Sequence, residues 1–506
     1  MAGMLEKISE ILNSKEKSEW YYVYTENPAA LGLDPDDLRA FKQGFESKAP
    51  DGFVIGNDEI LAAVGCPTYT AESIYEFYNQ PGQNNEDIDL NMYPSRLSVL
   101  VGPHKKYEHL KVLFNQVRFQ DYVISYKDDG AANRSHIMPL WKFPNRLLYR
   151  VRKSRIIIAE IFNEDLRIQI ITYAFKQRKK EDLPLIPQII IIENLSKHEI
   201  SDVKIGYTLA NYGKNWKIRQ NKQRRCLSIK QGINECEWHV LYTRQNDSSD
   251  GSEPFFLEFA DCDDEKDFEE EINSISNFSN DPHNPGSKED IIFENVGFGI
   301  LVQDIGDLRP RDSEIRSFTS LLTATEREFD DAMLSLDASE FYSEEFDHYL
   351  LLKNAIEEAE HWYDKVPVSV SEQKIEDLID SLLTLLRCIG GKKAIHVGTL
   401  YYPHDSAFWR DNFWLQNAFL KSGRYEYVQR DLNFFKSAWK QDGFKNSYRI
   451  SSKRGHSGGS RELRSEIAFY PALMSKNLCT WNSGVSLDQL SYGMIKEGLE
   501  AGLTSD

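Results

Sequence analysis

The sequence is short of positive charge. Its 506 residues hold 60 Lys and Arg against 79 Asp and Glu, a formal net charge of −19. A nucleic-acid binder needs a basic surface to neutralise phosphates, so no nucleic-acid partner is expected. The one compact basic run, Lys176-Gln177-Arg178-Lys179-Lys180, reads as a solvated hairpin tip. Also missing is any apolar run of the roughly 20 residues that cross a bilayer, so no membrane partner is expected. The leading MAGMLEKISEILNSKEKSEW carries acids and no apolar signal core, which places the protein in the cytoplasm on this reading. The six cysteines (Cys66, Cys226, Cys236, Cys262, Cys388 and Cys479) show neither CxxC nor zinc spacing and read as reduced thiols. No EF-hand loop is present, and no metal or cofactor is expected. Asn-X-Ser sequons at Asn133, Asn194, Asn246 and Asn277 are no more than a chain rich in Asn and Ser holds by chance.

What the chain does have is apolar bulk. Hydrophobic residues make up 41 % and aromatics 12 %, enough for sizeable cores. At one domain per ~150 residues the length allows about three units. Residues 1–50 read as a helical N-terminal segment, with Leu5, Ile8, Ile11 and Leu12 as a short stripe and Pro35-Asp36-Asp37 opening a second helix. From 51 to 325 the texture is that of strands. Ile156 to Ile161, Leu166 to Ile171 and Gln188 to Ile192 are β-branched runs of strand length, and Asn163-Glu164-Asp165 and Glu193 to Lys197 are turn-like. Strand after strand without intervening helices argues for an antiparallel β-sandwich. The acidic segment Asp261 to Asp290 reads as a long exposed loop, and Phe293 to Gln303 returns to strand.

Residues 326–370 read as a helical linker. Tyr349, Leu352, Ala355, Ile356, Ala359 and Tyr363 share one face, and Pro367 ends it. From 371 to 506 helical hairpins are expected, without strands. Ile375, Leu378, Ile379, Leu382, Leu383, Leu385, Leu386 and Ile389 are apolar around most of a helix that Gly390-Gly391 stops, the pattern of a buried helix. A helix beginning near Asp411 ends at Gly423. The next carries Tyr425, Val428, Leu432, Phe435 and Trp439 on one stripe and ends at Asp442-Gly443. Two more are expected near 461–478, kinked or divided by Pro471, and 486–502.

The candidate site lies in YYPHDSAFWRDNFWLQNAFLKSGRYEYVQRDLNFFKSAW. Tyr401, Tyr402, Phe408, Trp409, Phe413 and Trp414 crowd around the adjacent Arg410 and Asp411, with His404 and Asp405 among them. Two plain readings stand beside a functional one. Asp411 at a helix start is often an N-cap, and Arg410 can simply pair with a neighbouring acid. The functional reading is a sugar grip. Sugar rings stack on aromatic faces, while a guanidinium donates and a carboxylate accepts at the hydroxyls. Glu462 and Glu466, spaced i,i+4, are available carboxylates that read better as surface residues.

The stretch WRDNFWLQNAFLKSGRYEYVQRDLNFF, followed by WKQDGFKNSY, resembles the first hairpins of the six-hairpin glycosidases, the (α/α)6 barrels, closest to glucoamylase-like and bacterial glucodextranase-like enzymes. RIIIAEIFNEDLRIQIITYAF and PQIIIIENLSKHEISDVKIGYTLANY resemble the β-sandwich that precedes the barrel in prokaryotic members. The resemblance covers about 150–506. It implies that Arg410 and Asp411 hold a terminal glucosyl unit, with Trp409 as a wall. Tyr402 lines the same cleft on this reading, and the Gln441-Asp442-Gly443 turn, through Asp442, resembles the next substrate-facing loop. It further implies glycoside hydrolysis, by inversion if the barrel is complete, on α-linked glucosides. An (α/α)6 barrel has twelve helices, and about five are counted after Ser371. The family's catalytic acid and base would then fall beyond Asp506, and no catalytic residue is assigned. A disaccharide phosphorylase, or a non-catalytic carbohydrate-binding or assembly protein, stays open. An open barrel face would expose apolar area, so a homo-oligomer or a completing partner chain is expected.

Overall fold

The structure is a computed structural model. It describes residues 2–15, 22–25, 53–56, 61–64, 99–102, 119–128, 134–140, 143–174, 185–210, 216–221, 226–231, 237–242, 254–257, 291–294, 298–323, 348–364, 370–391, 393–395, 406–450, 453–455, 469–481 and 488–504, with isolated positions between 327 and 334. After one N-terminal helix, antiparallel sheets precede a set of helices. Seven helices are described: α1 (Ala2–Asn13), α2 (His348–Tyr363), α3 (Gln373–Ile389), α4 (Trp409–Lys421), α5 (Tyr425–Asp442), α6 (Tyr470–Trp481) and α7 (Gln489–Thr504).

The larger sheet has ten strands. Its centre is built from Ile156–Phe162, Leu166–Tyr173, Leu185–Asn194 and Ser313–Thr323, paired antiparallel in that order. These strands read as unbroken apolar runs, not as an alternation. Ile156, Ile157 and Ile158 are all buried, as are Ile189, Ile190, Ile191 and Ile192. That pattern needs cover on both faces, and both are covered. On one side Ile8 and Leu12 of α1 and Leu352, Ala355 and Ile356 of α2 pack with Ile156, Ile158, Ile189 and Ile191. On the other lies a five-stranded antiparallel sheet. Tyr122 and Tyr207 from its strands Phe119–Asp128 and Ile200–Ala210 sit edge to face at 4.8 Å. Tyr207 stacks on Phe318 of the larger sheet at 5.0 Å. The Tyr122 hydroxyl donates to Gln188 Oε1 at 2.5 Å, and Gln188 Nε2 donates to Thr172 Oγ1 at 3.0 Å, so these buried polar side chains are paired.

The expected turns form as their side chains dictate. Asn163 Oδ1 accepts the backbone N–H groups of Asp165 and Leu166, an Asx turn. Asn194 is fully buried and donates to the carbonyls of His198 and Leu308, so its sequon offers no surface amide for a glycan. The other three sequons, the Asp261–Asp290 loop, the basic run at 176–180 and the proline at 35 lie outside the described residues.

Four expectations are corrected. The N-terminal segment is not wholly helical, because Tyr22–Thr25 is an edge strand paired with Asn145–Leu148; two tyrosines, a valine and a threonine suit a pleat better than a helix. Helix α3 is not buried all round. Ile375, Leu378 and Leu382 are exposed, while the polar Asp380, Thr384 and Arg387 point inward. Two three-residue strands, Ser406–Phe408 and Ser447–Arg449, pair with each other among the helices. Pro471 neither kinks nor divides a helix. It occupies the first turn of α6, where its missing N–H has no partner to lose. Residues 461–468 lie outside the described residues.

The reversed polarity of α3 follows from what it meets. Arg150 and Arg155 flank the turn between two strands of the larger sheet, and both are almost wholly buried. Arg150 Nη2 donates to Asp380 Oδ2 at 2.7 Å, and the Lys153 N–H donates to Oδ1 at 3.1 Å. Arg155 pairs with Glu358 of α2, and Arg387 Nη2 donates to the other oxygen of Glu358 at 3.3 Å. Arg387 Nη1 also donates to the Tyr427 hydroxyl at 3.3 Å. Gly390, at the end of α3, is required by this packing. A Cβ there would come within 2.3 Å of the Tyr427 ring.

Burial pushes the Glu358 carboxyl up, but the guanidiniums of Arg155 and Arg387 outweigh it and hold the group below the ordinary glutamate range. Its contribution to stability is therefore present above that range and lost as the pH falls through it. Glu358→Gln leaves two guanidiniums facing a neutral amide and should cost roughly 3 kcal/mol, the low end for breaking a buried pair. Urea unfolding at pH 7 measures that loss. The variant's melting temperature should also fall less steeply on acidification than the wild type's.

Candidate functional site

Helices α4 and α5 form an antiparallel hairpin whose turn is set by one glycine. Gly423 has φ +75°, and Arg424 N–H donates to Phe419 O across it at 2.8 Å, the six-to-one bond of a Schellman cap. An antiparallel hairpin puts the start of α4 and the end of α5 at the same end. The pairing of Ser406–Phe408 with Ser447–Arg449 ties them there. The segment ahead of Arg410 and Asp411 is thus bonded to the segment that follows Asp442.

Asp411 is not the N-cap. Phe408 holds that position without a side-chain cap bond, and the residue reaching back to its N–H is Asn412, through Oδ1 at 3.0 Å. As a first-turn acid, Asp411 does sit favourably at the positive end of the helix dipole. Arg410 does meet an acid, since its Nε lies 3.6 Å from Asp411 Oδ1. With side chains 48 % and 27 % exposed, that pair contributes little to stability. It stands at the surface, within reach of a solute.

Trp409 is in a different place from the one expected. It is fully buried, stacked on Phe435 at 4.1 Å and on Phe444 at 5.6 Å, with Tyr448 edge-on at 6.0 Å. Its Nε1 donates to Lys445 O at 2.8 Å. The wall role assigned to Trp409 is therefore corrected. Its ring is enclosed by α5 and the segment after it, and it fixes the end of the hairpin from inside. Asp442 is half-buried, and its Oδ2 accepts the Gly455 N–H at 2.7 Å, holding 453–455 against the end of α5. Glu497 of α7 braces the same turn, accepting from Trp439 Nε1 at 2.6 Å and from the Phe444 N–H at 3.2 Å. Tyr402, His404, Asp405, Glu462 and Glu466 lie outside the described residues.

Two residues matter that the sequence reading gave no role: Trp414, named there only among the crowding aromatics, and Asp431. Trp414 is 63 % exposed, one helical turn beyond Arg410 and hence on the same face. Phe413 touches it at 5.0 Å and leans on Tyr470 of α6 at 5.5 Å. The i,i+4 spacing of Arg410 and Trp414 was the available signal. The second is Asp431 of α5, which is fully buried. Its Oδ1 accepts from the Ile395 N–H at 2.8 Å and from Asn412 Nδ2 at 2.9 Å, and its Oδ2 from Gln416 Nε2 at 2.6 Å. Among the described residues no group of three or more His, Cys, Asp or Glu could hold a metal ion, and no helix is long and apolar enough to cross a membrane.

No family model and no curated relative matches the chain. Solved structures similar in shape include a bacterial glucoamylase complexed with acarbose, at a TM-score of 0.48 and 10% identity, covering 77% of this chain and 61% of that one. A putative kojibiose phosphorylase from the human microbiome aligns at 0.41 and 11% identity, covering 78% and 50%. A family GH92 inverting mannosidase from Bacteroides thetaiotaomicron aligns at 0.34 and 11% identity, covering 70% and 51%. The chain spans about half to three-fifths of the length of these structures.

The interior place of Trp409 has a direct consequence. Trp409→Ala removes a ring stacked between two others and should destabilise the helical part by about 3–5 kcal/mol. A denaturant melt followed by far-ultraviolet circular dichroism measures this. A surface wall would show almost none of that loss.

Proposed function

We propose that this protein is glycosidase-like and binds the terminal glucosyl unit of α-linked glucosides at the start of α4. The observation that carries the reading is the half-exposed Arg410–Asp411 pair with the exposed Trp414 one turn along the same face. Arg410 supplies donors and Asp411 acceptors for sugar hydroxyls, and the indole of Trp414 supplies a flat apolar face in place of the buried Trp409. The clamp of Trp409, Asp442 and Glu497 behind them keeps the donor–acceptor geometry fixed, as a binding site requires. Tyr402 belongs to the same cleft on this reading.

The proposed organisation is an N-terminal segment at 1–50, a β-sandwich at 51–325, a helical linker at 326–370 and the first helices of an (α/α)6 barrel from 371 to 506, in a cytoplasmic protein. Hydrolysis by inversion, which the family resemblance implies, takes two carboxyl groups roughly 6.5–9.5 Å apart with water between them. The residues named above supply the grip on the sugar and leave that pair unassigned. The exposed Ile375, Leu378 and Leu382 of α3 support association with another chain or copy. Leu378→Ser with Leu382→Ser should shift the particle toward a monodisperse monomer in size-exclusion chromatography with light scattering. An unchanged elution profile would remove that stripe from any contact.

A hydrogen bond to a charged group is worth roughly 1.5–3 kcal/mol. Arg410→Ala should therefore weaken binding of maltose or an aminosugar inhibitor by about one to two orders of magnitude, and Trp414→Ala should weaken it as well. Both side chains are exposed, so the melting temperatures should stay close to the wild type's. Calorimetric titration alongside thermal melts decides the matter. Equal affinity with a lowered melting point in Arg410→Ala would make the pair a structural feature and end the sugar reading.

A further inference from the structure

Asp431 is a carboxyl group in an unusual position. It is fully buried in the helical core, beside Leu432, Val428 and Phe435. Every hydrogen-bond partner found for it is neutral: one backbone N–H and two side-chain amides. A buried carboxylate without a cation is strongly disfavoured against its neutral form.

The charged and titratable groups of the neighbouring elements do not relieve it. Helix α4 presents Asn412 and Gln416. The 391–395 segment presents the Ile395 backbone, with Lys393 exposed to solvent. On α5 itself, Arg430 Nη1 donates to Gly391 O at 3.1 Å, and its guanidinium lies over the Tyr427 ring at 4.4 Å. Arg387 of α3 meets Tyr427, a turn before Asp431. Lys436, paired with Asp488, and Trp439, bonded to Glu497 of α7, lie a turn or more after it. Burial is the leading influence and pushes the Asp431 carboxyl up to about 7, the three neutral donors only partly offsetting it.

Gln416 suits a proton on this group. Its Nε2 stands 2.6 Å from Asp431 Oδ2, while its Oε1 is buried with no partner. Turning the amide over places Oε1 against Oδ2, where it accepts from a protonated acid; in the other orientation Nε2 donates to a carboxylate. Gln416 can therefore follow the proton without moving the helix.

The position of Asp431 bears on the proposed sugar grip through Asn412. One Asn412 amide hydrogen goes to Asp431 Oδ1 and one to Ile395 O at 3.0 Å, while its Oδ1 takes the Phe408 N–H. Asp431 thereby fastens the residue immediately before and the residue immediately after Trp409-Arg410-Asp411. We propose that Asp431 is a positioning residue for the Arg410–Asp411 pair: through the Ile395 N–H, Asn412 and Gln416 it locks the first turn of α4 to α5 and to the 391–395 segment, and ionisation, although it strengthens each of those donor bonds, leaves a buried charge without a counter-ion and so favours opening of the lock to water. The effect on ligands rests on the sugar-binding reading, whereas the lock itself stands on the buried contacts alone.

The sign of the pH dependence follows from linkage. The folded chain holds a proton on Asp431 that the unfolded chain has already released, so this stabilisation is complete below the ordinary aspartate range and is lost as the pH rises through about 7. Between pH 5 and pH 8 the wild-type melting temperature should fall by on the order of 5 °C on this account. Asp431→Asn, a neutral isostere, should lack that fall. The protection factors of the Phe408 and Ile395 amides against hydrogen exchange, which discount the base-catalysed intrinsic rate, should fall over the same pH range in the wild type and stay level in the variant. A merely structural aspartate would lower the melting point of the variant at every pH without changing its slope.

Carbon-13 NMR of aspartate-labelled wild type gives the same answer even if the variant does not fold. One carboxyl titrating near pH 7 is expected. If all aspartates titrate below about 5, or if wild type and Asp431→Asn keep parallel pH profiles, the proposal is overturned. Maltose titrations of the wild type at pH 5 and 8 separate the two claims. Tighter binding at pH 5 supports both. No binding at either pH, with the sloping melt and the pH-dependent protection intact, supports the lock and removes the sugar reading.

Discussion

The fold turns on a seam of buried charge between the sheets and the helices. Arg150 and Arg155, set at the two sides of one strand-to-strand turn, have their guanidiniums almost wholly out of water. Such groups must find acids, and they find Asp380 on α3 and Glu358 on α2. From that requirement follows the rotation of α3, which turns its polar residues inward and leaves leucines outside. The position of Arg387, which shares Glu358 and reaches Tyr427 on α5, follows too. Hydrophobic area alone would have rotated α3 the other way. Two buried guanidiniums left without partners would cost several kcal/mol each, more than leaving two or three aliphatic side chains about half exposed.

The helical part meets the same problem on a smaller scale with neutral partners. Asp431 sits among aromatic and aliphatic side chains and is held by amides, with no counter-ion in its hydrogen-bond shell. The two solutions respond to acid in opposite directions. The arginine-bound glutamate stabilises the fold while ionised, and the amide-bound aspartate while neutral. Taken by themselves, these two carboxyl groups favour the fold most in mildly acidic solution, above the range of the first and below that of the second.

Much of the β part was legible because its signals are local. Runs of isoleucine with no alternation report a sheet covered on both faces, and Asn163 reports a turn because its side chain makes that turn. Gly423 was legible for the same reason, since a positive φ favours glycine. What was not legible depends on residues far away in sequence. The rotation of α3 is set by an arginine 230 positions earlier. Trp409 beside an Arg-Asp pair reads equally well as a wall or as core, and only Phe435, Phe444 and Tyr448 decide. Asp431 carried a usable signal. It lies three residues after Val428 and four before Phe435, on the stripe that faces inward, so its burial could have been read from helical spacing.

Helix α1 packs Ile8 and Leu12 against Leu352 and Ile356 of α2. These partners are joined by some of the longest-range contacts in the chain, which bears on how the protein is made. At a synthesis rate of roughly 5–20 residues per second, α1 leaves the ribosome on the order of 20–70 s before its partner exists. Through that interval its apolar stripe faces water, as does the isoleucine face of the sheet it will cover. A chaperone that holds short amphipathic helices, or an early provisional docking of α1 on the sheet alone, would bridge the gap. The docking of α1 on α2 thus waits on residues made some 345 positions later in the chain.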